Sequence, residues 1–134
     1  MKFISFVIPS YNSERFLDKC ITSFLREDVL DEIEVIIVND GSRDATEAIA
    51  KEYAARYPDT IRLISQENRG HGGALNAGFA AAEGRYIKPI DADDWVDTDS
   101  LPEFVRQLKT VDSDVVLTHH YTMDISTGEQ KKWM

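Results

Sequence analysis

Apolar and polar positions fall in alternating blocks along the chain. Phe3 to Ile8 is a short apolar run and predicts a strand. After it Phe16, Leu17, Cys20, Ile21, Phe24 and Leu25 recur at helical spacing, with Asn12 or Ser13 placed to cap that helix. Glu34 to Asn39 (EVIIVN) is rich in β-branched residues and hardly alternates, the pattern of a strand covered on both faces in a parallel sheet. Ala45 to Tyr57 predicts a helix stopped by Pro58, and Ile61 to Ser65 a third strand. Gly72 to Ala82 is Ala-rich and predicts a helix ended by Gly84, and Arg85 to Ile90 a fourth strand. Ser100-Leu101-Pro102-Glu103 has the form of a capping box, with Phe104, Val105 and Leu108 on one face of the helix that follows. Asp114 to Thr118 predicts a fifth strand, and Ser126-Thr127-Gly128 the turn of a hairpin opening near Tyr121.

The resulting order is βαβαβαβαβ. Parallel neighbours need crossover connections, so the expected fold is α/β, a mostly parallel sheet with helices on both faces. A length of 134 residues, 43% apolar and 29% charged, suits one folded domain. Fifteen Lys and Arg against 24 Asp and Glu give a net charge of −9, which argues against a nucleic-acid backbone or an anionic membrane as partner. The single Cys20 excludes an internal disulfide framework and a zinc cluster of several thiolates. No stretch approaches the roughly 18 apolar residues of a membrane span, and Pro9 ends the first apolar run too early for a signal peptide. The expected location is cytoplasmic.

In an open parallel sheet, ligands bind beyond the carboxyl ends of the strands. The residues there are Pro9-Ser10-Tyr11-Asn12 after the first strand, and Asp40-Gly41-Ser42-Arg43-Asp44 after the second. Gln66-Glu67-Asn68-Arg69-Gly70-His71-Gly72-Gly73 follows the third, and Asp91-Ala92-Asp93-Asp94 the fourth. The last run gathers carboxylates that repel one another unless a cation offsets them. Hard divalent cations take oxygen ligands, and Mg²⁺ pairs one or two carboxylates with substrate phosphates. An acidic, solvated capping loop would look the same, since Asp97 and Asp99 follow closely. Asp40 can accept a hydrogen bond from a base edge, or simply form an Asx-turn with Gly41 and Ser42. Tyr11 can stack on a flat ring or pack over the sheet end. Glycines 70, 72 and 73 allow close backbone approach at a helix start, although Leu75 breaks the dinucleotide fingerprint. Gly78 and Ala80 to Ala82 fit tight packing of helix on sheet. His71 in the loop can contact a phosphate or be incidental, as can His119 and His120 after the fifth strand. Cys20 belongs to the core face of its helix.

Together these residues resemble the family 2 glycosyltransferases, whose nucleotide-diphospho-sugar transferase fold is called GT-A. The matching stretches are Phe6-Val7-Ile8-Pro9-Ser10-Tyr11-Asn12 and Val38-Asn39-Asp40-Gly41-Ser42 with Asp44 and Thr46. Asn68-Arg69-Gly70 with Asn76 and Gly78, then Gly84 and Asp91-Ala92-Asp93-Asp94, complete the likeness, which runs from about residue 3 to about residue 118. The resemblance implies a sugar donor activated by a nucleotide diphosphate, usually UDP, and a glycan or lipid-linked acceptor, as in polysaccharide biosynthesis. It implies that Tyr11 stacks on the base in a pocket shaped by Pro9, and that Asp40 hydrogen-bonds the base. Asn68 and Gly70 would line the donor site, Asp91 would contact the ribose side, and Asp93 of the Asp-x-Asp motif would ligate Mn²⁺ or Mg²⁺ bridging the diphosphate. Many members carry Ala-Arg-Asn where this chain has Ala74-Leu75-Asn76. Family catalytic domains are roughly twice this length. Residues 1–134 are therefore expected to form one GT-A donor-binding domain, incomplete on the acceptor side, with the catalytic base beyond Met134 and any peripheral membrane contact made by other parts. Two other readings compete. One is a nucleotide-binding module without catalysis. The other is a Mg²⁺-dependent phosphohydrolase with a nucleophilic Asp-x-Asp, which expects that motif on the first core strand.

Overall fold

β1 (Ile4–Ser10) and β2 (Ile33–Asp40) are buried along their whole lengths and pair in parallel, Val7 opposite Ile36. Such strands are covered on both faces, which is why their sequences run apolar without alternating. In this computed structural model, residues 2–111, 120–123 and 130–133 are described. β3 (Ile61–Gln66) pairs with the outer side of β2, and β4 (Tyr86–Pro89) with the outer side of β1. The four strands form one parallel sheet in the order β3-β2-β1-β4.

One face carries Phe6, Ile8, Val35 and Ile37. Against them lie Leu17, Cys20 and Ile21 of α1 (Leu17–Thr22), Ala50 and Tyr53 of α2 (Thr46–Arg56), and Leu101, Val105 and Leu108 of α4 (Leu101–Leu108). Phe6 and Phe24 pack with ring centroids 4.6 Å apart. The other face carries Val7, Ile36 and Val38 beneath Ala74 of α3 (Gly70–Ala81). Each fully buried Ile or Phe contributes about 1.5–3 kcal/mol, so these two layers dominate the favourable side of folding. Helices thus cover both faces, as the pattern predicts.

The helix boundaries differ from the expectations in instructive ways. α1 ends at Thr22, because Phe24 and Leu25 donate their backbone N–H to Ile21 and Thr22, three residues back. The tightened turn still delivers Phe24 to the core, so the apolar period outlasts the α-helix. Neither Asn12 nor Ser13 caps α1 with its side chain; both serve a loop contact described below. The capping box at α4 does not form: Ser100 donates its hydroxyl to Asp97 and Glu103 pairs with Arg106. A 3₁₀ turn (Thr98–Ser100) leads into α4 and holds Ser100 in helical geometry, which turns its hydroxyl away from the helix. α3 starts at Gly70, two residues earlier than expected, and Ala80 is exposed whereas Ala81 and Ala82 pack on the sheet. The expected strand Asp114–Thr118, the turn Ser126–Gly128 and His119 lie outside the described residues. β5 (His120–Met123) and β6 (Gln130–Trp133) pair antiparallel, as a hairpin opening near Tyr121 requires. No helix among the described residues is long and apolar enough to cross a membrane.

The chain moves outward from β1 to β2 to β3, then returns to the opposite side of β1 as β4. The order reverses between β1 and β4, and the crevice above that reversal is where ligands enter open α/β sheets. Ser10-Tyr11 and Asp91-Ala92-Asp93 flank it. At the opposite end of the sheet, Glu34 is buried and held by Ser5 Oγ at 2.8 Å, the Glu83 N–H at 3.0 Å and Arg62 at 3.1 Å.

Candidate functional site

The loops after β1 and β2 are clasped together. Asn12 adopts φ 49°, a left-handed conformation that Asn tolerates, donates its N–H to Ser42 Oγ at 3.0 Å and accepts the Arg43 N–H at 2.8 Å. Ser13 N–H donates to Thr46 Oγ1 at 2.8 Å. Thr46 is fully buried and in turn gives its hydroxyl and its N–H to Asp44 Oδ1, at 2.5 and 2.9 Å. Asp44 Oδ2 accepts the Glu14 N–H at 3.3 Å. Burial alone would raise the Asp44 pKa; the bonds from Thr46 and Glu14 outweigh it and hold the carboxyl below its usual range. Tyr11 therefore projects from a loop fixed at both flanks.

The loops after β2 and β3 are fixed in the same way. Asp40 is buried, and its Oδ1 accepts Gln66 Nε2 at 3.0 Å and the Arg69 N–H at 2.8 Å. Burial would raise this carboxyl too, but those bonds, the Gly70 N–H and the Arg69 charge hold it low. Asn68 Nδ2 donates to the Asp40 carbonyl at 3.1 Å. Gly41 has φ 74°, and a Cβ there would lie 2.8 Å from Asn68 N, so this junction requires glycine. Beneath it Asn39 accepts the Ser42 N–H at 3.1 Å and donates to Glu47 at 3.0 Å.

Two clefts open above this frame. A cleft of about 260 Å³ is lined by Pro9, Ser10, Tyr11, Asp40, Asn68, Gly70, His71 and Ala74. Beside it, one of about 460 Å³ reaches Asp91, Ala92 and Asp93, past Phe16. Pro9, Tyr11 and His71 line both, so the two form one groove across the reversal of strand order. Tyr11 is half exposed, at 51%, which leaves a ring face open to a flat ligand.

Ala92 is buried in the core, so its neighbours Asp91 and Asp93 point outward on either side of it. The Asp94 N–H closes a turn on the Asp91 carbonyl at 2.9 Å, and Val96 and Thr98 tie the loop to Ser23 at the end of α1. One carboxylate oxygen from each of Asp91, Asp93 and Asp94 lies within 4.8 Å of the others. A hard cation at about 2.0–2.6 Å from its oxygens holds them roughly 3–5 Å apart, so this donor set fits Mg²⁺ or Mn²⁺. All three side chains are exposed, leaving room for water or phosphate oxygens on the ion. Cys20 lies below, its Sγ 3.8 Å from the Asp91 carbonyl. Burial, then the charges of Asp94, Asp93 and Asp91, push its thiol up to about 12, so it stays neutral and belongs to the core.

The sequence-predicted site residues Pro9, Tyr11, Asp40, Asn68, Gly70, Asp91 and Asp93 all line this groove. His71 joins them from the first turn of α3, not from a loop. Leu75 instead packs toward the Val7 and Val38 layer. Sequence reasoning missed the roles of Asn39, Gln66 and Thr46 as braces of the loops. Only the Asp44-x-Thr46 spacing at a helix start hinted at one of them.

Comparison with known proteins agrees with the geometry. The family described as glycosyl transferase family 2 matches residues 5–133. The glycosyltransferase alr2836 of Nostoc sp. is 41% identical over 128 residues, covering 96% of this chain and 38% of its own length. The crystal structure of Staphylococcus aureus TarS 1-349 in complex with UDP-GlcNAc superposes with TM-score 0.68 and 27% identity, over 81% of this chain and 31% of that one. A mannosyltransferase from Pyrobaculum calidifontis in complex with GDP-Man and Mn²⁺ superposes with TM-score 0.68 and 27% identity, over 78% and 32%. The chain thus spans well under half the length of these proteins.

Proposed function

The chain belongs to glycosyl transferase family 2, and from that premise we propose that it forms the donor-binding part of an inverting glycosyltransferase acting on a UDP-sugar. The single observation that carries this reading is the continuity of the groove. An exposed Tyr11 ring and the Asp40 brace stand at one end and three carboxylates at the other, and the two adjoining clefts share Pro9, Tyr11 and His71 in their walls. A nucleoside diphosphate is a flat base joined to an anion, and a groove of this polarity suits it once a cation faces the acids.

In this reading Tyr11 stacks on the base, and Pro9 shapes the pocket floor. Asp40 receives an N–H from the base edge while keeping Asn68 and Gly70 in position. Asp91 contacts the ribose side and Asp93 holds the metal, Mn²⁺ or Mg²⁺. When bound, that ion stabilises the charge developing on the departing diphosphate. The acceptor is a glycan or lipid-linked hydroxyl, deprotonated by a carboxylate for in-line attack on the anomeric carbon. No residue of this chain is assigned that base, so the chain alone binds donor and transfers sugar weakly or not at all. The Asp-x-Asp loop follows the fourth strand, β4, and not the first, which leaves the phosphohydrolase reading without support.

Calorimetric titration with UDP in Mn²⁺ tests the proposal. Saturable binding that Asp93→Ala weakens strongly is the expected result. No binding by the unaltered chain, or equal binding by Asp93→Ala, would remove the assignment.

A further inference from the structure

Among the described residues lining the groove, His71 is the one side chain able to carry positive charge; the rest are neutral, or are the carboxylates of Asp40, Asp91 and Asp93. His71 also lines both clefts, where the half flanked by Tyr11 and Asp40 passes into the half flanked by Asp91 and Asp93. Building on the donor-site reading, we propose that His71 is the protein's own hydrogen-bond donor to the diphosphate of the bound nucleotide.

The argument is one of charge and position. A diphosphate crossing this groove meets the carboxylates of Asp91 and Asp93, and a cation there neutralises only the oxygens it touches. The remaining oxygens need donors, or their desolvation is uncompensated. Imidazole carries at least one N–H in either protonation state, so it can donate throughout the neutral range. His71 is exposed and sits in the first turn of α3, whose N-terminal end adds a favourable field for an anion. It stands at the junction that a base-to-phosphate linkage has to cross. Serving the phosphates and not the base, His71 sets the preference for diphosphate over uncharged nucleoside.

The test compares UDP and uridine binding, in Mn²⁺, to the unaltered chain, His71→Ala and His71→Gln. Loss of a hydrogen bond to a charged group predicts a roughly tenfold or greater loss of UDP affinity in His71→Ala, with uridine affinity unchanged. His71→Gln keeps an N–H donor and is expected to recover part of the loss. Thermal melting of each variant confirms that it is folded, which the exposure of residue 71 favours. Equal UDP binding by His71→Ala, or equal loss for UDP and uridine, would overturn the assignment while leaving the donor site standing. Failure of the unaltered chain to bind UDP would instead overturn the donor-site reading and this inference with it.

Discussion

The Asp40 carboxylate accepts the backbone N–H of Arg69 at 2.8 Å, tying the end of β2 to the start of α3 across 29 positions of sequence. Its carboxyl is held below the ordinary value of 3.8, because its hydrogen bonds outweigh burial. A carboxyl lowered on folding contributes stability that is present above its unfolded pKa and is lost as pH falls through the folded one. Asp40→Asn keeps an oxygen for the Arg69 N–H but loses the charge. Its urea midpoint is expected to fall at pH 7 and to depend less on pH in the acid range than that of the unaltered chain. Asp40→Ala leaves the Arg69 N–H unpaired and should cost about 2 kcal/mol.

Thr46 makes a second prediction about the frame. It is fully buried, accepts from Ser13 and donates to Asp44. Thr46→Val preserves shape and removes both bonds, leaving the partly buried Ser13 N–H without its acceptor. Unfolding should become easier by about 1–3 kcal/mol. Because Ser13 adjoins the Tyr11 loop, UDP affinity should fall as well, through a ring left less well held. A measured affinity unchanged in the folded variant would show that Tyr11 is positioned without the clasp.

Much of this fold is legible in the residues, for identifiable reasons. β2 reads as a doubly covered strand because all eight of its residues are buried. The groove residues are legible because topology sends the end of every parallel strand to one edge. The exceptions have physical causes too. Phe24 keeps the helical period beyond α1 because a tight turn still buries it. Ser100 and Glu103 have the letters of a capping box, yet each takes a nearer partner, Asp97 and Arg106. Asp40 reads as a ligand for a base, but Gln66 and Arg69 lie too far along the chain for their bonds to be seen in its local sequence. Asn12, Ser42, Asp44 and Thr46 carry the family resemblance without an evident chemical role; the clasp supplies one.

Gly78 tests the packing of α3. A Cβ at this position would come within 2.2 Å of Val7 Cγ1 and 3.3 Å of Val38 Cγ2. Gly78→Ala gains helix propensity but overpacks the sheet face, so a net destabilisation of about 1–3 kcal/mol is expected. Val7→Ala alone leaves a cavity. Combined, the two changes should cost less than the sum of the singles, because the new methyl occupies space the old one vacated. An additive double-mutant cycle, measured by denaturant unfolding, would contradict the contact.

The acidic loop gives a prediction that needs no nucleotide. Asp91, Asp93 and Asp94 hold like charges within 4.8 Å of one another, exposed to solvent. Mn²⁺ or Mg²⁺ that binds only the folded loop must raise the melting temperature, by an amount that grows with the logarithm of ion concentration once the site fills. Asp93→Asn removes one charge of three and should flatten that rise while lowering repulsion in the ion-free protein. Chelation should return the unaltered chain to its ion-free melting temperature and leave Asp93→Asn unmoved.

Glu34 separates stability from binding. It lies at the opposite end of the sheet from the groove, buried, with Ser5, Arg62 and the Glu83 N–H on its oxygens. Burial favours its neutral form, but the bonds from Glu83, Ser5 and Arg62, with the Arg62 charge, outweigh this and hold it below 4.5. The sign is that of Asp40: the stabilisation is present at neutral pH and lost as pH falls through the lowered value. Arg62 is partly exposed, so its charge is screened and the backbone and hydroxyl bonds contribute most. Glu34→Ala should therefore cost about 2 kcal/mol at pH 7 and progressively less in acid. UDP affinity, measured below the melting transition of the variant, should match that of the unaltered chain. A fall in affinity there would mean that the two ends of the sheet are coupled through β1 and β2, and that the groove depends on the register of the whole sheet.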